Sequence, residues 1–120
     1  MEYLNYVIYV LLFFFIVKRF IPVRGIKNIS TTELKTELKD KNKQFVDVRT
    51  PAEFKGNNIR GFKNIPLHTL GKKATYELST DKEVVVICQS GMRSQKASKV
   101  LKKLGFTNVT NVKGGMNTWR

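Results

Sequence analysis

The run Glu83-Val84-Val85-Val86-Ile87-Cys88, followed at once by Gln89-Ser90-Gly91-Met92-Arg93-Ser94, constrains this chain more than any other stretch. Four consecutive β-branched residues with no polar alternation predict a strand buried on both faces, the habit of an inner strand in a parallel sheet. That strand delivers the chain's one cysteine into a short polar loop, and a helix is expected to begin near Ser94. Gly91 gives the loop a residue free to take positive φ, so the amides from Gln89 to Ser94 can curl toward the sulfur. A thiolate so placed gains from helix N-terminal amides and from Arg93, five residues on. A structural cysteine at a strand end is the plainer alternative. The Gly, Ser and Arg packed directly behind Cys88 favour a nucleophile.

The flanking sequence alternates strand-like and helix-like pieces. Strands are expected at Ile26–Ile29, Gln44–Val48, around Asn64-Ile65-Pro66, at Lys82–Cys88 and at Asn108–Val112. Ser30 and Glu33 form a capping box for a helix reaching about Asp40, and Pro51 opens a short helical turn to Phe54. A helix is expected over His68–Leu78, interrupted early by Gly71. Another runs from Ser94 to Leu104, with Ala97, Val100, Leu101 and Leu104 inward and Gly105 closing it. Alternation of this kind implies an α/β fold, a parallel sheet with helices on both faces. Reactive groups in such folds sit at strand carboxyl ends, which places Cys88 and Asp47-Val48-Arg49 on one rim.

Ahead of this lies a different kind of segment. Tyr3 to Val17 is apolar or aromatic except for Asn5, and Lys18-Arg19 follow. Fifteen residues cover only about 22 Å, against roughly 30 Å of bilayer hydrocarbon. Phe20 and Ile21 extend the run, so 1–21 is expected as a transmembrane anchor, 22–28 as a linker and 29–120 as the globular domain. Charges behind the run, and no cleavage-site pattern, argue against a secretory signal. Lys18, Arg19, Arg24 and Lys27 follow the span, so a single-pass membrane protein with a cytoplasmic C-terminal domain is expected.

Twenty-two Lys and Arg stand against nine Asp and Glu, which favours anionic partners, whether small anions, acidic protein faces or lipid headgroups. The cations are scattered without aromatic interleaving, so specific nucleic-acid binding is not expected. One cysteine excludes an internal disulfide and a thiolate metal cluster. No metal-ligand spacing occurs. His68, the sole histidine, reads as a surface or loop residue rather than a ligand or base.

Four pieces together carry a family resemblance. They are Asp47-Val48-Arg49 with Glu53-Phe54; Gly56-Asn57-Asn58-Ile59-Arg60-Gly61-Phe62-Lys63-Asn64-Ile65-Pro66-Leu67; Cys88-Gln89-Ser90-Gly91-Met92-Arg93-Ser94; and Gly114-Gly115 before Trp119. Over roughly Ile29 to Arg120 the sequence resembles the rhodanese-like, single-domain sulfurtransferases. The resemblance implies a rhodanese-like fold with Cys88 as the sulfur-carrying nucleophile. Gln89, Ser90, Gly91, Met92, Arg93 and Ser94 would bind substrate, with Arg93 steering an anionic donor, and Asp47 and Arg49 would brace the rim. Thiosulfate or a persulfide would be the donor, and a thiol or cyanide-like nucleophile the acceptor, with no metal or organic cofactor. Asn58 stands where the family often has histidine. Phosphatase relatives place five residues between cysteine and arginine; here there are four. A thiol redox role would need a resolving cysteine from elsewhere. The alternative of another class is a membrane-tethered binding module that recruits an acidic partner without turnover.

Overall fold

The computed structural model describes residues 2–20 and 25–120. Its elements are α1 (Glu2–Phe20), β1 (Ile26–Ile29), α2 (Thr31–Glu37), β2 (Gln44–Asp47), α3 (Pro51–Gly56), β3 (Lys63–Asn64), α4 (Leu67–Glu77), β4 (Val84–Ile87), α5 (Met92–Lys103) and β5 (Val109–Val112), closed by a 3₁₀ turn at Gly115–Thr118. The five strands form one sheet in the order β1-β5-β4-β2-β3, and every pairing is parallel. β4 is therefore the middle strand, and all four of its side chains are fully buried. Each such Val or Ile contributes about 1.5–3 kcal/mol of burial free energy.

The two faces of β4 separate two cores. Val84, Val86 and Cys88 pack with Leu70 and Ala74 of α4 and Ala97 and Leu101 of α5. Val85 and Ile87 pack with Leu34 of α2, Phe45, Ile59, Phe62 and Met116. Helices thus cover both faces, as the alternation predicted. Gly71 does not interrupt α4, which runs through it. α5 starts two residues before the expected Ser94, because Gly91 already stands at the N-cap with φ 103°. α2 stops short of Asp40, with Leu38 as its C-cap. Both β3 and its hydrogen-bonded register fall on Lys63–Asn64 rather than on Asn64–Pro66.

The expected membrane anchor needs correction. Among the described residues, no helix is long and apolar enough to cross a membrane. The continuous apolar stretch covers about 22 Å. The extension that would lengthen it runs through Lys18-Arg19. The single-pass membrane localisation, the cytoplasmic orientation drawn from it and the membrane as a partner fall with the anchor. Met1, Ile21 and the first linker residues, Pro22 to Arg24, lie outside the described residues.

Candidate active site

β2 and β4 pair with Asp47 opposite Ile87, and the Val48 N–H donates to the Ile87 carbonyl at 3.0 Å. Cys88 and the Asp47–Arg49 segment consequently emerge side by side at the carboxyl rim of the sheet. Cys88 is wholly buried and its thiol is free. Its Sγ accepts the Gly91 N–H at 3.0 Å and lies 3.4 Å from the Ser94 hydroxyl, which itself donates to the Gly91 carbonyl at 3.1 Å. Of the six loop residues expected to surround the sulfur, Gly91 and Ser94 are those hydrogen-bonded to it. Gln89 turns to other partners, Ser90 and Met92 face solvent, and Arg93 is engaged elsewhere. No side chain caps α5, so its first-turn N–H groups, which lack intrahelical acceptors, give the sulfur's surroundings a positive potential.

Arg93 grips Glu53 with both terminal nitrogens, Nη1 to Oε1 at 2.6 Å and Nη2 to Oε2 at 2.9 Å. Glu53 also closes the capping box of α3, where its Oε1 accepts the Thr50 N–H at 3.1 Å and the Thr50 hydroxyl at 3.0 Å. The Arg93 bonds, helped by the Thr50 amide, hold the Glu53 carboxyl down from 4.5 to about 2. Arg93 is held above its ordinary value, first by the Glu53 bonds and further by the fields of Glu53, Cys88 and Asp47. Because the folded value of Glu53 lies below its unfolded one, its contribution to stability is present above about pH 4.5 and disappears as pH falls toward 2. Denaturant midpoints measured across that window should fall more steeply for the parent than for Glu53→Gln. Parallel acid limbs would show that the pair contributes nothing. The expected difference is modest, since both side chains remain about one-third exposed.

Behind the loop, Asp47 and Arg49 form a fully buried ion pair at 2.8 Å. Arg49 Nε donates to both Asp47 oxygens at 3.1 Å, and the Arg49 N–H to Oδ1 at 2.9 Å. The rest of the guanidinium reaches across the rim. Nη2 donates to the Asn57 carbonyl at 2.6 Å, and Nη1 to Asn57 Oδ1 at 3.2 Å and Gln89 Oε1 at 3.3 Å. One buried cation therefore links the end of β2, the C-cap of α3 and the cysteine loop.

The underside of the loop rests on the C-terminal turn. Met116 N–H donates to the Cys88 carbonyl and Asn117 N–H to the Gln89 carbonyl, both at 2.9 Å. Gln89 Nε2 donates to Asn117 Oδ1 at 2.7 Å. Gly115, at φ 54°, lies so close that a Cβ there would overlap the Cys88 carbonyl oxygen far inside van der Waals contact. These contacts, like the Glu53 partner of Arg93, join residues 27 to 40 apart in sequence. The only local signal was Gly114-Gly115, which marks a turn without saying what it supports.

Beside the loop lies a cleft of about 290 Å³ lined by Val48, Thr50, Pro66, Leu67, His68 and Arg93. His68 is exposed, as expected, in the first turn of α4. Among the described residues, no group of three or more His, Cys, Asp or Glu is placed to hold a metal ion.

The family model for the rhodanese-like domain matches residues 30–120. The chain is 46% identical over 76 residues to Uncharacterized protein YqhL of Bacillus subtilis, covering 63% of this chain and 60% of that one. The chain thus spans less than two thirds of that relative's length. It is 33% identical over 95 residues to a protein of Allochromatium vinosum named Sulfurtransferase, covering 78% of this chain and 88% of the relative. Among solved structures it is similar to a rhodanese-like domain protein from Staphylococcus aureus, with a TM-score of 0.71 and 35% identity over 78% of this chain and 91% of the other.

Proposed function

The chain belongs to the rhodanese-like domain family, and from that membership we propose that it moves sulfane sulfur through a persulfide on Cys88. The Cys88 thiolate attacks the outer sulfur of thiosulfate. The donor's S–S bond breaks as the new one forms, and sulfite leaves with the bonding pair. The terminal sulfur of Cys–S–S⁻ is then attacked by cyanide or a thiolate, which takes it up and regenerates the Cys88 thiolate. A persulfide donor enters the same sequence and leaves as its thiolate.

The observation that carries this reading is the Gly91 amide held 3.0 Å from Sγ at the uncapped N-terminus of α5. Backbone dipoles fixed in that direction stabilise negative charge on the sulfur at no cost in reorganisation. Ser94, by rotating its hydroxyl from the Gly91 carbonyl, can donate to the same atom. Asp47 and Arg49 keep the loop in register and touch no substrate.

The complete burial of Cys88 favours a second reading, a binding module that does not turn over. For transfer to occur, the Gln89–Met92 stretch of the loop has to open toward the cleft. Intact-mass analysis after thiosulfate treatment decides between the two. Transfer predicts a gain of one sulfur atom on Cys88, discharged by cyanide; a module stays at its starting mass.

A further inference from the structure

We propose that this site selects sulfur carriers with an apolar arm and little charge over compact dianions, and that Glu53 sets the preference. The proposal rests on the sulfur-transfer reading and narrows its substrate. Of the six residues lining the cleft, Val48, Pro66 and Leu67 are apolar, and Arg93 is the one permanent cation. Both terminal nitrogens of that cation are taken by Glu53. Glu53 Oε1 also accepts the Thr50 N–H and hydroxyl, so its withdrawal would open half of the α3 capping box. Glu53 does not itself line the cleft, but its bonded carboxylate offsets the charge of Arg93, so the cleft faces a neutralised cation rather than a full positive charge.

A dianion arriving there feels the field of the Glu53 carboxylate as well as that of the guanidinium, and little of the attraction expected from the arginine remains. An alkyl arm gains on the other wall, where each methylene removed from water favours binding by up to roughly fourfold. Carriers of the form R–SO₂–S⁻ or R–S–S⁻ have one negative charge, on the sulfur to be transferred, and an arm to lie along Val48, Pro66 and Leu67. With a thiosulfonate the step balances simply. Cys88 sulfur bonds to the sulfane sulfur, the S–S bond of the donor breaks, and the sulfinate R–SO₂⁻ departs with the electron pair.

Steady-state rates with thiosulfate, methanethiosulfonate and hexanethiosulfonate as donors, and cyanide as common acceptor, test this in the full chain. For the parent, kcat/KM should rise from thiosulfate to the hexyl donor by roughly tenfold or more, with the methyl donor between them. Glu53→Gln retains an N3 amide oxygen for the α3 cap while removing the charge. It should improve kcat/KM for thiosulfate roughly tenfold, through KM, and move the hexyl donor by less than about threefold. That gain should fade with added salt, which a purely structural effect would not do. Glu53→Asp, which keeps the charge, should keep the parent's ranking. A parent that uses thiosulfate as well as the hexyl donor, or a Glu53→Gln variant that shifts all donors alike, overturns the selectivity while leaving persulfide formation intact. Failure of every donor to place sulfur on Cys88 overturns the sulfur-transfer reading, and this inference with it.

Discussion

Replacing Cys88 with serine should reduce thiocyanate formation from thiosulfate and cyanide by about a thousandfold or more. The hydroxyl is a far weaker nucleophile near neutral pH, and an alkoxide has no comparable way to carry a sulfane sulfur. The protein should otherwise survive the change. Serine fits the space, its oxygen can still accept the Gly91 amide now bonded to Sγ, and the loss is confined to one sulfur in the first core. Initial rates, with circular dichroism of the same samples, separate lost chemistry from lost structure. Equal thiocyanate production by the variant and the parent would mean that another group carries the sulfur.

The second large effect is expected at a residue that touches no substrate. Gly115→Ala should destabilise the domain by about 3 kcal/mol or more, with activity lost alongside. Two causes add. The backbone at φ 54° lies where side chains are disfavoured, and the new Cβ would be driven into the Cys88 carbonyl, a backbone atom with nowhere to go. Either the C-terminal turn withdraws, breaking the Met116 and Asn117 hydrogen bonds, or the cysteine loop shifts with it. Gly61→Ala is the internal control. Its φ of 100° carries the conformational cost, but nothing lies within 4 Å of the added methyl, so only about 1 kcal/mol should be lost. Urea titrations of the two variants that gave equal losses would remove the steric argument.

The contrast between these glycines shows what the sequence could convey. Local grammar was readable. The Val84–Ile87 run announced the middle strand, the Ser30/Glu33 box started α2, and Gly91 foretold a turn at positive φ. Helix faces also followed from spacing, with Ala97 and Leu101 inward on α5 as expected. Reach was not readable. Glu53 reads as an N3 residue of its own helix, and nothing nearby says that a guanidinium forty positions later will take both its oxygens. Arg93 was accordingly read as steering an anionic donor, with no sign in the sequence of its pairing to Glu53. The N-terminal segment erred in the other direction. Its composition suggested a bilayer span, but length is a separate requirement, and the count was completed only by running past two cations.

The sheet order has a consequence for how such a protein comes off the ribosome. β1 pairs with β5, Ile26 beside Val109, so the first strand waits for the last before the sheet can close. Residues 84–103 emerge before the turn at Gly115–Thr118 that will hold them from below. A nascent chain stalled in that interval would expose its lone sulfur on an unsupported bend, open to oxidants and to stray electrophiles. How long that exposure lasts is set by how quickly residues 104–118 emerge behind it.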